Sequence, residues 1–598
     1  MPADARFCMN CGQALGPATD ADQQLQARLA ATAPAPLVEK MRAAKLTGER
    51  KPVTALFADV VGSTSLAENM DPEDWTQLVN EAFDLMSKAV FHYEGTIAQL
   101  QGDAMLAFFG APVAHEDDPE RAILAALNMV AATDEFARQL KASQGIDFRI
   151  RAGINTGPVV VGNVGTDLRY EYTALGDAMN VAARMQAAAE PGTVLMTANT
   201  HRLVAGAFDV EDLGELEVRG KLEPVHAYRV LARRATPGPR RGLAAVGLES
   251  PMIGRQAQLE TLRSLVSIVS AGRGRTAFLV GEPGIGKSRL LAELRTTIGA
   301  DDSAPSDGAS PTWIEGRCVS YGRNLPYHLL IEIVRSILGL SFSAPEIDAR
   351  DKLDRELLDL LGPGDAPDTA PYLAHLLALP LRPDEADRAK IDPEVMQGRY
   401  VAAIHRLLRA LSSRAPIVLV CEDVHWADPA SVDVMRQLLP LAAQLQVLFI
   451  GVMRAETDSH GWRLVTEARG FLGDALTDIR LDPLDESQSR DLVANLLEIE
   501  SLPDGVRQLI LARAEGNPFF VEEVVRMLIE HGAIERHDDR WVATADVVAV
   551  AIPETLHGLL LARIDQLPEQ AKRSLRVAAV IGRQFPVRVL ERVLDETG

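Results

Sequence analysis

Four cysteines in 598 residues are too few for a disulfide framework, and no uninterrupted apolar run is long enough to span a bilayer. The opening MPADARFCMN has no apolar signal core. Basic residues are also in deficit: Lys+Arg number 61 against 83 Asp+Glu, a formal charge of −22. So acidic a chain is a poor candidate for general binding to nucleic acid or to an anionic membrane. These shortages point to a cytoplasmic protein. What is present is ordinary for globular domains, with 47% hydrophobic residues, and the length suggests three or four domains at about 150 residues each.

Cys8 and Cys11 form CMNC ahead of Gly12, one half of a zinc-ribbon pattern within residues 1–18. A structural zinc site needs four ligands, and no other Cys or His precedes His92. Zinc at Cys8 and Cys11 is therefore not expected, and a vestigial N-terminus is preferred to a site shared across a dimer. Residues 19–50 are Ala- and Gln-rich with a break at Ala33-Pro34-Ala35-Pro36. Helix, break and helix suit a dimerising or signal-relay segment and a plain linker equally.

The chain is organised around VTALFADVVGST, Val53 to Thr64. Val53, Ala55, Phe57, Val60 and Val61 read as a buried strand with Asp59 near its end. A carboxylate there has to be solvated, paired or bound to a cation. Gly62, Ser63 and Thr64 make a small corner whose N–H groups can face phosphate oxygens. Further on, Gly95 to Gly110 reads as two strands joined at Gly102-Asp103, a tight-hairpin signal. If the tip of that hairpin lies beside Asp59, Asp103 and Asp59 share one small space, and a divalent cation relieves their repulsion.

Pro72 to Tyr93 is helical in period, with Trp75, Leu78, Val79, Phe83, Met86 and Val90 on a core-facing side. Glu120 to Leu140 reads as a second amphipathic helix. Phe148 to Asn155 reads as a strand, Gly157 to Gly165 as a glycine-punctuated hairpin, and Tyr170 to Leu175 as another strand. Asp177 suits the N-cap of a helix that carries Met179 to Ala188. Strands and helices in this order suggest an α+β sheet covered by helices on one face. Asn180 and Arg184, four apart, share one side of the last helix, and Thr173 precedes them on the adjoining strand.

FADVVGST together with QGDAMLAFFG resembles the catalytic core of class III adenylyl and guanylyl cyclases. The likeness is to the soluble-adenylyl-cyclase branch and its bacterial relatives, in which an ATPase module follows the cyclase. The resemblance implies a ferredoxin-like sheet with helices over residues 51–231 and two Mg²⁺ or Mn²⁺ ions per site on Asp59 and Asp103. It implies that Thr173 touches the base, Asn180 orients the ribose and Arg184 stabilises the transferring phosphoryl group. It also implies a homodimer, with the carboxylates from one subunit facing Gln99, Thr173, Asn180 and Arg184 from the other. Where adenylyl cyclases usually carry an adenine-reading Lys, this chain has Gln99, whose amide can both donate and accept.

Residues 232–250, with Arg233 to Gly247 rich in turn breakers and Arg, form a linker. The second domain, 251–480, contains TAFLV followed by Gly281-Glu282-Pro283-Gly284-Ile285-Gly286-Lys287-Ser288 and a helix, the strand–loop–helix context of a phosphate-binding loop. Gly281, Gly284 and Gly286 let backbone N–H groups approach phosphates, Lys287 meets the terminal phosphates and Ser288 occupies a Mg²⁺ position. Ile417 to Cys421 is a second buried strand ending in Glu422-Asp423, a Walker-B-like pair. His425-Trp426-Ala427-Asp428, Arg454 as a sensor candidate, and Gly516-Asn517-Pro518-Phe519-Phe520 resemble the signal-transduction ATPases with numerous domains. Mg-ATP is the ligand that this implies. Ser303 to Pro311 reads as a mobile loop. Residues 481–598 are expected to be helical and winged-helix-like.

The reading is a multidomain adenylate cyclase regulated by its ATPase module and by a protein or ligand that the sequence does not name. Two rivals stay open: a guanylate cyclase, and a signalling ATPase whose cyclase-like domain is an idle dimerising sensor.

Overall fold

A computed structural model of the chain describes, apart from isolated positions, residues 49–111, 114–163, 172–175, 177–204, 206–216, 224–234, 251–300, 310–340, 346–389, 391–497, 514–530, 534–537 and 540–543. Cys8, Cys11, the segment before Glu49 and most of the loop at 303–311 lie outside the described residues. The chain forms two compact units, Met1–Ala232 with Ile552–Gly598, and Arg233–Ala551.

In the first unit, strand β1 (Glu49–Val60) runs antiparallel to β3 (Ala104–Phe109) on one side and to β4 (Ile150–Asn163) on the other. β2 (Thr96–Gln101) completes the expected hairpin with β3 across Gly102-Asp103. β5 (Tyr172–Leu175), β6 (Val194–Thr197), β7 (Phe208–Leu216) and β8 (Val225–Arg233) extend the sheet, whose order is β2-β3-β1-β4-β6-β8-β7 with β5 paired to β4.

The helices are α1 (Ser63–Asn69), α2 (Pro72–His92), α3 (Asp118–Gln144), α4 (Asp177–Ala188) and α5 (Ala198–Val204). α2 starts where Asp71 accepts the Glu73 N–H and Pro72 takes the first turn. Its Leu78, Val79, Phe83, Met86 and Val90 are buried as their spacing predicts, whereas Trp75 in the first turn is only partly buried.

The expectation of helices on one face is corrected. Val53 and Ala55 pack with Ala178, Met179 and Ala182 of α4. The alternate positions face the other way: Thr54 pairs with Phe109, whose ring lies near Val90 of α2. Side chains alternate along a strand, so α4 covers one face while α2, packed on α3, covers the other. Both faces of β1 are consequently apolar, with Val53, Ala55, Leu56 and Ala58 each 1% exposed.

The expected hairpin is present as the antiparallel pair β4 and β5, but it does not begin at Gly157. β4 continues through Gly157 to Asn163. A Cβ on Gly157 would lie 2.9 Å from the Ala178 Cβ, so this glycine admits a helix and does not turn the chain.

The second unit is built on a five-stranded parallel sheet, order β10-β11-β12-β9-β13. The strands are β9 (Arg275–Gly281), β10 (Thr312–Arg317), β11 (Ile417–Glu422), β12 (Val447–Met453) and β13 (Leu476–Leu481). The inner strands β9, β11 and β12, covered on both sides, read as near-continuous apolar runs, and all seven residues of β12 are buried, whereas the edge strands β10 and β13 are only partly buried.

α6 (Gln256–Ser270) and α7 (Lys287–Ala300) flank β9. Between β10 and β11 the chain makes a helical excursion that the motif-based reading does not anticipate. It comprises α8 (His328–Leu338), α9 (Glu346–Leu376), α10 (Pro383–Ala389) and α11 (Pro393–Arg414). α12 (Pro429–Ala442) and α13 (His460–Leu472) follow β11 and β12. Beyond the sheet come α14 (Glu486–Leu497), α15 (Pro518–Glu530) and a small hairpin of β14 (Ile534–His537) and β15 (Arg540–Ala543). Within residues 481–598, expected to be helical and winged-helix-like, these two helices and the hairpin are described, and most of the remainder lies outside the described residues. No described helix is long and apolar enough to cross a membrane.

Candidate functional site

Asp59 is the penultimate residue of β1 and pairs with Ala104 of β3. Asp103 is the turn residue next to Ala104, so the sheet delivers both carboxylates to one corner. Asp59 is also in register with Arg151 of β4. The Arg151 guanidinium donates from Nε to Asp59 Oδ1 at 2.8 Å and from Nη2 to Oδ2 at 3.1 Å. Its third nitrogen, Nη1, donates to the Ala187 carbonyl in the last turn of α4 at 2.9 Å. The hydrogen bonds to Asp59, helped by the charges of Asp59 and Asp103, raise the guanidinium pKa. Arg151 is a residue that the motifs do not single out. It sits in a strand of ordinary composition, and only the pairing register reveals its partner.

Among the described residues no group of three or more His, Cys, Asp and Glu forms a ready-made metal cage. The Asp59–Asp103 corner nevertheless already attracts a cation, the Arg151 guanidinium, and its hard oxygen donors suit Mg²⁺ or Mn²⁺. Two carboxylates fit a site whose coordination is completed by water and by substrate phosphates.

Gln99 lies on β2 at a bulge, paired with Leu106 of β3. Thr173 lies on β5, in register with Gly162 of β4. Asn180 is exposed on α4, and Arg184, four residues on, is partly buried. The helix lies directly on β4. A Cβ on Gly153 would run into the Gln186 amide and the Ala182 carbonyl. Asn155, buried, fixes the start of the helix: its Nδ2 donates to the Ala178 carbonyl at 2.9 Å, and its Oδ1 accepts from Thr197 at 2.7 Å. Asn180 lies seven residues, about 10 Å of helix, from the Ala187 end that Arg151 touches.

In the second unit the phosphate loop, the Glu422-Asp423 pair and Arg454 stand at the carboxyl ends of strands, where open parallel sheets place their ligands. The phosphate loop follows β9. Lys287 Nζ donates to the Gly281 and Glu282 carbonyls at 2.8 and 2.9 Å, and burial pushes its ammonium down to about 8. Ser288 Oγ donates to Glu422 Oε2 at 3.2 Å, joining the loop to the end of β11. Burial raises the Glu422 carboxyl pKa.

Burial acts the same way on Asp423, but Arg317, His425, Arg454 and Lys287 outweigh it and hold that carboxyl low. Arg317, the last residue of β10, pairs with Asp423 at 3.1 Å and is a second residue that motif reading misses. Arg454, one residue beyond β12, lies over the Trp426 ring at 5.2 Å. The Gly516-Asn517-Pro518-Phe519-Phe520 segment docks on the loop itself. Asn517 Nδ2 donates to the Pro283 carbonyl at 2.9 Å and the Phe519 N–H to the Gly284 carbonyl at 3.2 Å. A Cβ on Gly284 would strike Phe519 at 2.7 Å, so glycine is needed there for this contact.

A family model described as the adenylate and guanylate cyclase catalytic domain matches residues 47–231, and one described as an AAA ATPase domain matches 251–450. A domain of unknown function matches residues 485–541. An uncharacterized protein of Rhizobium meliloti (strain 1021) is 29% identical over 561 residues, 92% of this chain and 50% of its own length. Adenylate cyclase 1 of the same strain is 36% identical over 186 residues, 30% of this chain and 28% of its own. The adenylyl cyclase CyaB from P. aeruginosa, a solved structure, is 34% identical over 32% of this chain and 100% of its own, with a TM-score of 0.31. The chain thus spans half or less of the length of these two curated relatives. The chain thus carries, in this order, a class III cyclase domain that includes the sheet corner and an AAA ATPase domain that includes the phosphate loop.

Proposed function

We propose that the first domain is an adenylate cyclase that converts ATP to cyclic AMP and pyrophosphate at the interface of a homodimer. The observation that carries this reading is the convergence of Asp59 and Asp103 on one corner of the sheet, with a cation already drawn to it. Two divalent ions held there would lower the pKa of the substrate 3′-hydroxyl and neutralise the triphosphate. Arg184 of the other copy meets charge building on the α-phosphoryl oxygens, and Asn180 orients the ribose. Gln99 and Thr173 read the base.

The phosphate loop of the second domain, with Lys287, Ser288, Glu422 and Asp423, binds Mg-ATP and biases the dimer through its nucleotide state. A few kcal/mol of differential binding is enough for such control. The relative named adenylate cyclase supports adenine as the base. Gln99 favours a second reading, a guanylate cyclase, because an amide can pair with either purine edge.

The test is product formation by the full chain with Mn-ATP and with Mn-GTP, beside Asp59→Ala. Cyclic AMP that disappears with Asp59 supports the proposal, and a GTP preference selects the second reading. A wild-type chain inactive on both nucleotides contradicts both. Lys287→Ala, with cyclase output and its ATP dependence unchanged, would remove the proposed regulation.

A further inference from the structure

We infer that Arg151 is a displaceable counter-cation that couples metal loading at Asp59 and Asp103 to helix α4. The inference rests on the reading of these two carboxylates as the metal ligands.

All three guanidinium nitrogens are engaged. Two hold both oxygens of Asp59, at 2.8 and 3.1 Å, and the third holds the Ala187 carbonyl at 2.9 Å. The pair is partly sheltered, with side-chain exposures of 26% for Arg151 and 18% for Asp59, so water screens it incompletely. A dication approaching Asp59 meets a unit positive charge already at hydrogen-bond distance from both carboxylate oxygens. Metal and guanidinium therefore compete for Asp59.

When the guanidinium leaves, its bond to Ala187 goes with it. Helix α4 is tied to β4 at two ends: by Asn155 to Ala178 and by Arg151 to Ala187. Between them it has no slack, because Gly153 and Gly157 let it rest on the strand. Loss of the Arg151 tie loosens the exposed edge of the last turn, at Ala187 and Ala188, while Met185 stays buried and the helix stays hinged at Asn155. That turn begins just beyond Arg184. In a homodimer, Asp59 and Arg184 of one copy serve different sites. Metal entering one site thus loosens the phosphoryl-binding helix of the other, and a single side chain carries the signal between them.

The test uses the full chain without nucleotide, with Mn²⁺ binding followed by electron paramagnetic resonance and hydrogen exchange measured at residues 184–189. The Mn²⁺ population lost in Asp59→Asn defines the site. Arg151→Gln is expected to tighten Mn²⁺ there by roughly 5- to 150-fold, the range of ordinary coupling energies. It should also leave exchange in the last turn fast and insensitive to Mn²⁺, whereas the wild type should speed up on Mn²⁺ addition.

Arg151→Lys retains the charge without the fork. It is expected to bind Mn²⁺ about as the wild type does while exchanging fast at residues 184–189, and it serves alone should Arg151→Gln fail to fold. Mn²⁺ binding unchanged or weaker in Arg151→Gln, or last-turn exchange at the wild-type rate in Arg151→Lys, overturns the inference. Mn²⁺ binding that survives Asp59→Asn instead overturns the metal reading beneath it.

Discussion

The carboxylate of Asp428 clamps the backbone of Tyr327, 101 residues earlier, through Oδ1 at 2.9 Å. Its other oxygen accepts the His328 N–H at 3.1 Å, and Oδ1 also accepts the Ser431 N–H at the start of α12. Tyr327 is held at φ 64°, a left-handed conformation that costs a non-glycine residue about 1–2 kcal/mol. Its ring meets Tyr400 edge-on at 5.1 Å, and the Tyr400 hydroxyl bonds His375 at 2.7 Å. One buried side chain beyond the Walker-B-like pair therefore anchors the helical excursion.

Asp428→Ala strands three N–H donors at a site that is 2% exposed. Each buried donor left unsatisfied costs about 1–3 kcal/mol, and partial rearrangement reduces the sum. A loss of about 3 kcal/mol is expected in the denaturant transition of the ATPase unit. Asp428→Asn, which keeps an acceptor, should lose about half of that.

Lys287 should give a pH dependence to the proposed ATP binding. Burial lowers it from its ordinary 10.5 to about 8. A base held low in the fold weakens stability while it is charged, and that burden lifts as pH rises from about 8 through 10.5. Binding runs the other way, because phosphates favour the ammonium. Above about 8 the neutral lysine must first take up a proton, so ATP affinity is expected to fall, by at most about tenfold per pH unit. Calorimetry near pH 8.5 in buffers of different ionisation enthalpy should show proton uptake with ATP.

His115 acts on the cyclase unit. Burial and Arg121 lower its pKa, but Asp118 and Glu94 prevail and raise it above its ordinary 6.5. Nδ1 lies 3.2 Å from Asp118 and Nε2 3.1 Å from Glu94. The buried Arg121, itself paired with Glu94 and Asp117, sits in the same cluster. A raised pKa contributes stability that is complete below 6.5 and lost as pH climbs through the folded value. The melting temperature of this unit should fall over that rise in pH, and His115→Gln should flatten the slope.

Gly153→Ala tests how tightly α4 sits. The added methyl meets the Gln186 amide and the Ala182 carbonyl, which belong to helix backbone and cannot rotate away. Destabilisation of about 3 kcal/mol is expected, with cyclase output lost through displacement of Asn180 and Arg184. Gly102→Ala is the contrast. Its Cβ meets nothing within 4 Å, and only the φ of 62° is unfavourable, so about 1 kcal/mol is expected.

Much of the site was legible because strand endings and turn residues are local signals. The apolar run ending at Asp59, the Gly102-Asp103 tip and the strand–loop–helix around Lys287 all stand where their patterns put them. Arg151 and Arg317 escaped because their roles depend on register with Asp59 and on proximity to Asp423, and a sequence carries no register label. Gly157 misled because glycine that admits a helix and glycine that turns a chain are spelled alike. Residues 328–414 escaped because an excursion between two adjacent strands carries no motif. The roles proposed for Thr173, Asn180 and Arg184 came from family spacing, since the proposed subunit interface would leave no periodic trace in one chain.

The central claim is that one copy brings Asp59 and Asp103 to substrate while a second copy brings Arg184. Asp59→Ala and Arg184→Ala, each assayed alone with Mn-ATP, should be inactive. Mixed and re-equilibrated in equal amounts, they should recover about a quarter of the wild-type rate, because half the twofold dimers are hybrids and each hybrid has one intact site. Full activity in either single variant, or no recovery from a mixture shown to contain hybrids, would contradict the account.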